Sequence, residues 1–472
     1  MKDFPPDLSV VSIKTVLHSF PAGFKKILSG YDFLLLFIGI YLVYNTVSFM
    51  TMSDDTAPAA LLPISIILHH TLNFDWLFNP GLSPDATMYA FPRVNGHYVS
   101  LFPIVTPILI TPVYGIAYAL FTPNLADFGN IILLAKTCAS IIAALSCVFV
   151  YLVGKELFSK KIAIITVLIY AFATSTWSVS GQALWQHGMV ELLLILMIYV
   201  IIRNERNESA KNIILLGILS GLFVFNRPPD AILLIPIIAY VIWYARKNIY
   251  YYVIPAVLSG LPFLWYNLTI FGNVFGGYKE NLGFFSFNFN FITNFFGLLI
   301  SPNVGLIIFC PVVILSIWGY QKLDKITNAR LRWVLLLFGP VIILQILSYS
   351  FFELWASSTA FSFGQRFLTG FMPIIAILIG LVLNDRSFIE SKSVKDRTIW
   401  ILVALLIISS IVIQITGVYF YPLNPDRTMS IEKAWNWKDS IIVESYFYGV
   451  SHINSITTYI FPQVPPVFYY QF

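Results

Sequence analysis

The chain has 472 residues, of which 58% are hydrophobic and only 11% charged, and its mean hydropathy is +0.79. A soluble globular domain carries about 25% charged residues, so this composition excludes a water-facing fold and calls for a polytopic membrane protein. The net charge of +5 is distributed over loops between apolar runs, and no nucleic-acid partner is expected.

The first 26 residues are polar, long and proline-bearing, unlike a secretory signal peptide, so the first span is expected to stay in the mature protein. Apolar runs of roughly 17–25 residues can cross a bilayer as helices. Eleven such runs lie near 32–50, 131–154, 162–180, 187–202, 212–225, 230–245, 250–271, 304–320, 332–350, 367–384 and 399–420. A twelfth, 101–121, is apolar but carries Pro103, Pro107 and Pro112, and is expected to be re-entrant or interfacial. The fold class is therefore all-α: a membrane helix bundle of about 11–13 spans. Cys138, Cys147 and Cys310 fall inside apolar runs and imply neither a disulfide framework nor a metal site.

The loops orient the bundle. Twenty of the 28 Lys and Arg residues sit in the N-terminal tail and in the short loops around 155–161, 203–211, 246–247, 322–332 and 386–397. By the positive-inside rule these are cytoplasmic, as is the N-terminus. Segments 51–130, 181–186, 226–229, 272–303, 351–366 and 421–472 then face outward in the cell membrane. Short plain loops inside and chemically rich loops outside direct the search for function to the outer face.

In chain order, "SDDTAP" places Asp54 and Asp55 just past the first run. One of them, or Ser53, can cap the next helix, but two acids exceed what one cap needs. The apolar stretch that follows suits an interfacial helix. "SGQALWQHGMVELLL" carries Gln182, Gln186 and His187, with Glu191 one helical turn below His187 on the same face. Glu191 is the one carboxylate well inside an apolar run; it either serves function or packs the bundle as a neutral acid bonded to His187. "FNRPPDAIL" sets Arg227 at a membrane edge, where it can grip a phosphate or pair with Asp230. The Phe-rich segment 270–309, with Gly276-Gly277, reads as a lid, a surface for a lipid tail, or an ordinary loop. "SFFELWASSTAFSFGQRFLTG" adds Glu353, Gln365 and Arg366; Trp355 there reads best as an interfacial belt residue.

"SDDTAPAALLPISIILHHTLNFD" followed by "NGHYVSLFPIVTPILITPVY" resembles the first outer loop of the C-type (GT-C) integral-membrane glycosyltransferases. "ALWQHG", "NRPPDAILL", "SPNVGLIIFCPVV" and "SFGQRFLTGFMP" are similar to later blocks of that superfamily, which includes protein O-mannosyltransferases and aminoarabinose transferases. The resemblance implies transfer of a sugar from a polyprenyl-phosphate carrier to an acceptor hydroxyl on a glycan, lipid or protein. It implies a catalytic role for the outer loop at 51–103 of a transmembrane domain over 1–421; the outer segment 272–303 is a lid candidate on its own residues, and 422–472 reads as a short outer tail. The family pattern D-T-x-P falls on Asp55-Thr56-Ala57-Pro58, making Asp55 the expected base and Asp54 its neighbour. Arg227 and Arg366 would hold the leaving phosphate, with His187, Gln186, Glu191, Glu353, Gln365 and Trp355 as further substrate-binding candidates. Relatives often carry another acid where this chain has Gln182, Gln186 and His187; no cofactor is called for, and a divalent metal is left open. Two other classes compete: a polysaccharide ligase or polymerase using the same carrier, and a transporter or flippase, which would place paired charges at the midplane of inverted halves.

Overall fold

Each of the eleven apolar runs becomes helix in the computed structural model, which describes residues 31–47, 53, 55–78, 89–124, 127–244, 246–287, 289–359, 362–385, 393–421 and 431–451. Asp54 lies outside the described residues, as does the whole tail beyond 451. In chain order the main helices are α1 (Asp32–Tyr44), α2 (Ala57–His69), α3 (Val105–Phe121), α4 (Phe128–Leu157), α5 (Lys160–Ala173), α6 (Gln186–Arg206), α7 (Ala210–Asn226), α8 (Ile235–Tyr244) and α9 (Ile249–Phe271). There follow α10 (Tyr278–Leu282), α11 (Phe291–Ile300), α12 (Leu306–Phe309), α13 (Ile314–Gln321), α14 (Ala329–Ser350), α15 (Met372–Leu383), α16 (Val394–Ile415), α17 (Ile431–Ala434) and α18 (Ile441–Ser451). Among the described residues six helices are long and apolar enough to cross a membrane, and the fold is that of a polytopic helical membrane protein.

Burial separates the middle of the bundle from its rim. The span Arg366–Leu383 is wholly buried and Gln186–Arg206 83% buried, whereas Ile249–Phe271 is only 17% buried and presents most of its apolar surface outward. α7 and α9 pack closely because Gly217 and Gly221 let the backbone of Tyr252 and Ala256 approach, the small-residue contact common between membrane helices.

Segment 101–121 is not broken. Pro103 precedes α3, Pro107 falls in its first turn where a missing N–H is harmless, and only Pro112 is interior. α3 starts buried and ends with Leu120 and Phe121 exposed. α2 is packed against α3 and α4 along its first two turns, with Pro58 to Ser65 buried and only its last residues exposed. Between them a two-residue-stranded hairpin pairs Arg93–Val94 with His97–Tyr98. Its Asn95-Gly96 turn has positive φ at both positions, the geometry of a tight hairpin. Asp75 fastens it, accepting from Tyr98 N at 2.8 Å and lying 2.6 Å from His97 Nδ1.

α6, α14 and the span Arg366–Leu383 run between two ends of the bundle about 30 Å apart, given ~1.5 Å per residue. At one end the basic loops interlock: Arg330 meets Glu208 at 3.0 Å and Glu205 at 3.4 Å, Lys160 meets Asp32 at 2.6 Å, and Arg206 pairs with Glu156 and Lys322 with Asp385. The other end carries the start of α2, the start of α6, the end of α7 and the end of α14. α17 and α18 are held by Asn303, whose Nδ2 donates to Lys433 O at 2.8 Å and whose Oδ1 accepts from Ile441 N at 2.6 Å.

Candidate active site

Three chain reversals deliver the charged residues to one cavity. Asp55 precedes α2, whose first turn is closed by Ser53 O, which accepts from Thr56 N and Ala57 N at 3.0 and 2.9 Å. The N-cap residue Thr56 makes no side-chain cap bond to α2, and the Asp55 carboxylate pairs with Arg366. Arg227 ends α7, because Pro228 and Pro229 cannot continue it. Arg366 begins the 3-10 turn Arg366–Phe371, with Gln365 Oε1 accepting from Phe367 N at 3.2 Å. Asp55, Arg227 and Arg366 line one cavity of about 270 Å3, walled by Tyr89, Tyr278, Tyr349, Phe102, Phe284, Phe285, Phe352 and Phe367.

Within it Arg366 Nη2 stands 3.4 Å from Asp55 Oδ2; the arginine side chain is 8% exposed and the carboxylate 30%. The aspartate is therefore the more open of the pair, and both side chains line the cavity. The Arg366 guanidinium lies 4.7 Å from the ring centre of Trp185 and 5.1 Å from that of Phe367, near enough for cation–π attraction.

Arg227 is buried and fixed on three sides. Nη1 donates to Tyr278 OH at 2.9 Å and Nη2 to Tyr349 OH at 2.8 Å. Nε stands 3.0 Å from Asp230 Oδ2, an ion pair without hydrogen-bond alignment. Asp230 in turn accepts from Gln345 Nε2 at 2.7 Å and Tyr349 OH at 3.1 Å. Each terminal nitrogen keeps a second N–H, and guanidinium N–H groups are suited to oxyanion oxygens. Burial by itself would lower the Arg227 pKa, but Tyr278, Tyr349 and Asp230 outweigh it and hold it above the ordinary value. Burial pushes the Tyr278 hydroxyl up to about 12, against the pull of Arg227. Tyr278 thus acts as a neutral hydrogen-bonding group here, donating to Gln186 Oε1 at 3.3 Å.

The remaining sequence candidates take other places. Gln186 supports Tyr278 from behind, and its carbonyl accepts from Asn226 Nδ2 at 3.0 Å. His187 is buried beside the rings of Trp185 and Phe367, and neither ring nitrogen has a hydrogen-bond partner among the described residues. His187 and Glu191 are not bonded to each other, and Glu191 Oε1 accepts from Thr176 Oγ1 at 3.0 Å. Glu191 is buried one turn deeper and does not line the cavity. Glu353 is exposed and accepts from Ser286 Oγ at 2.6 Å, fastening the Phe-rich loop. Trp355 is not a belt residue: it is fully buried, its ring seated where Gly297 of α11 leaves no room for a Cβ. Gln365 is occupied as the cap described above. Gln182 accepts from Lys136 Nζ at 2.7 Å, away from the cavity.

Sequence reasoning missed Tyr278, Tyr349, Trp185 and Lys136. For Tyr278 a signal existed in the preceding glycines. Gly276 has φ +59, and Gly277 lies against the Leu101 carbonyl so tightly that no side chain fits. That turn seats Tyr278. Among the described residues no three His, Cys, Asp or Glu side chains gather as a metal site.

A family model described as dolichyl-phosphate-mannose-protein mannosyltransferase matches residues 111–266, which hold Gln186, His187 and Arg227 but neither Asp55 nor Arg366. No curated protein matches the chain in sequence. Among solved structures, the Archaeoglobus fulgidus oligosaccharyltransferase tethered with an acceptor peptide containing the NVT sequon is similar at TM-score 0.50 and 13% identity, over 94% of this chain and 61% of that one. Its apo form gives TM-score 0.46 and 12% identity over 94% and 62%. ArnT from Cupriavidus metallidurans in the apo state gives TM-score 0.47 and 12% identity over 92% of this chain and 77% of that one. This chain thus spans about three fifths of the archaeal enzyme's length. The family model covers a third of the chain, and the likeness to the archaeal structure is one of polytopic helical fold.

Proposed function

We propose that the protein transfers a sugar from a polyprenyl-phosphate carrier to an acceptor hydroxyl at the extracytoplasmic face of the cell membrane. The observation that carries this reading is the single cavity shared by Asp55, Arg227 and Arg366. The acceptor O–H gives its proton to Asp55 as its oxygen bonds to the anomeric carbon. The bond from that carbon to the carrier phosphate breaks, and the departing phosphate gains from the free N–H groups of Arg227 and from Arg366. The pair with Arg366 orients the carboxylate for this step. A volume of about 270 Å3 suits a sugar-phosphate head group. Phe285 also borders a neighbouring open hollow with Phe287 and Phe351, an apolar exit for the carrier's tail.

The outward orientation is supported by the interlocked basic loops at the opposite end of the bundle. A transporter would place its charged site near mid-membrane, whereas these residues sit at helix ends. The test is to incubate purified protein with a panel of polyprenyl-phosphate sugars and acceptors and measure carrier phosphate released. Release with at least one donor supports the proposal. Consumption of a nucleotide sugar alone, with every lipid donor intact, refutes it.

A further inference from the structure

α4 carries Lys136 in a stretch, 131–154, that has no other charged residue. The side chain is fully buried. Its Nζ donates to Gly181 O at 2.6 Å and to Gln182 Oε1 at 2.7 Å, and among the described residues it enters no ion pair. An ionisable group inside a membrane bundle without an opposite charge is costly, and a Leu or Met would fill the same space. The lysine's contribution therefore lies in what it holds. Gly181 is already wedged against the Tyr44 ring, where an added Cβ would come within 2.8 Å. Gln182 Nε2 donates onward to Trp177 O at 3.0 Å, so both residues of the turn are fixed in space. Three and four residues after Gln182 come Trp185, under the Arg366 guanidinium, and Gln186, the acceptor for Tyr278.

We propose that Lys136 is a positioning residue for sugar transfer. It locks the 181–182 turn, so that Trp185 and Gln186 keep Arg366 and Tyr278 in register with Asp55. This rests on the glycosyltransferase reading above. Of the three supports of Arg227, Asp230 and Tyr349 come from other segments and do not pass through Lys136, and only Tyr278 is reached through Gln186. The two arginines should therefore respond differently to loss of the lysine.

The test uses full-length Lys136→Met in lipid nanodiscs. Turnover should fall about 10- to 100-fold, the scale of a misplaced catalytic constellation. Affinity for polyprenyl phosphate alone should stay within about threefold, because Asp230 and Tyr349 still hold Arg227. Adding Gln186→Ala to Lys136→Met should lower turnover little further, since both act on one unit, whereas independent roles would multiply. Amide exchange should speed up across 181–187 and stay unchanged across 228–234. If Lys136→Met does not fold, Gln182→Leu removes one of the two acceptors and should give a smaller loss with the same exchange pattern. Wild-type turnover, multiplicative losses, or unaltered exchange at 181–187 would overturn the proposal. So would equal losses of turnover and of phosphate-binding sites, which mark a merely inactive fraction. If wild-type protein transfers no sugar, the functional reading fails, while exchange at 181–187 still decides whether Lys136 locks the turn.

Discussion

Arg366 and Asp55 meet with 3.4 Å between Nη2 and Oδ2, although 311 positions separate them in the chain. One opens the wholly buried span through the middle of the bundle, and the other precedes the first helix after the amino-terminal span. Their contact closes the cavity between the two sequence regions in which acids and arginines stand out from an apolar background. The Ser53 carbonyl closes the first turn of the helix that Asp55 precedes, and the carboxylate keeps 30% exposure at the cavity.

Arg227→Ala should weaken binding of polyprenyl phosphate by about 2–4 kcal/mol, as expected for losing a fixed cationic donor. It should also destabilise the protein, because Asp230 is left buried and unpaired. Arg227→Ala/Asp230→Asn should recover thermal stability but not affinity. Recovery of both would mean the pair serves the fold alone. Titration with the lipid phosphate beside a melting curve separates the two.

Tyr278→Phe keeps the ring and removes a hydroxyl that accepts from Arg227 and donates to Gln186. A net loss of about 1–3 kcal/mol in transition-state stabilisation is expected, roughly 5- to 150-fold in turnover. The native hydroxyl is pushed up to about 12, so it stays protonated throughout the working range. The variant's pH–rate profile should therefore keep the wild-type shape between about pH 6 and 9. A lost ionisation in that window would identify Tyr278 as a titrating group and contradict its assignment as a neutral donor.

Asn303→Ala removes one side chain that bonds to Lys433 O, Asn436 O, Asp439 O and Ile441 N. Each such bond is worth about 0.5–1.5 kcal/mol, so the segment 431–451 should detach before the bundle unfolds. Limited proteolysis should cut there in the variant well before the native protein. Equal rates would show that packing of α18, where Gly449 lies against Phe420, suffices without the clamp.

The bundle was legible because apolar runs in a membrane protein must satisfy their backbone bonds as helices. Asp55, Arg227 and Arg366 were legible because charge is costly at a membrane edge unless it has a partner, and the chain has few charges to place. Asp230 was legible as the neighbour three residues on. Tyr278, Tyr349 and Trp185 were hidden among 26 Tyr, 41 Phe and 11 Trp residues, where one aromatic looks like another until the fold gives it a neighbour. The i, i+4 spacing placed His187 and Glu191 on one face but could not reveal that the two would stay unbonded while Thr176 donates to one carboxylate oxygen. Trp355 looked like a belt residue because the glycine that admits its ring lies 58 positions earlier. Lys136 stood in plain view within an apolar run, yet only the folded turn at 181–182 shows what it holds.

The most direct measurement is single-turnover release of carrier phosphate by purified Asp55→Asn. Asparagine keeps the shape and can still contact Arg366, but it cannot take a proton. If Asp55 is the general base, the variant should bind polyprenyl phosphate as wild type does and lose about 10²- to 10⁴-fold in transfer rate. Transfer at the wild-type rate, with the same donor and acceptor, would contradict the mechanism.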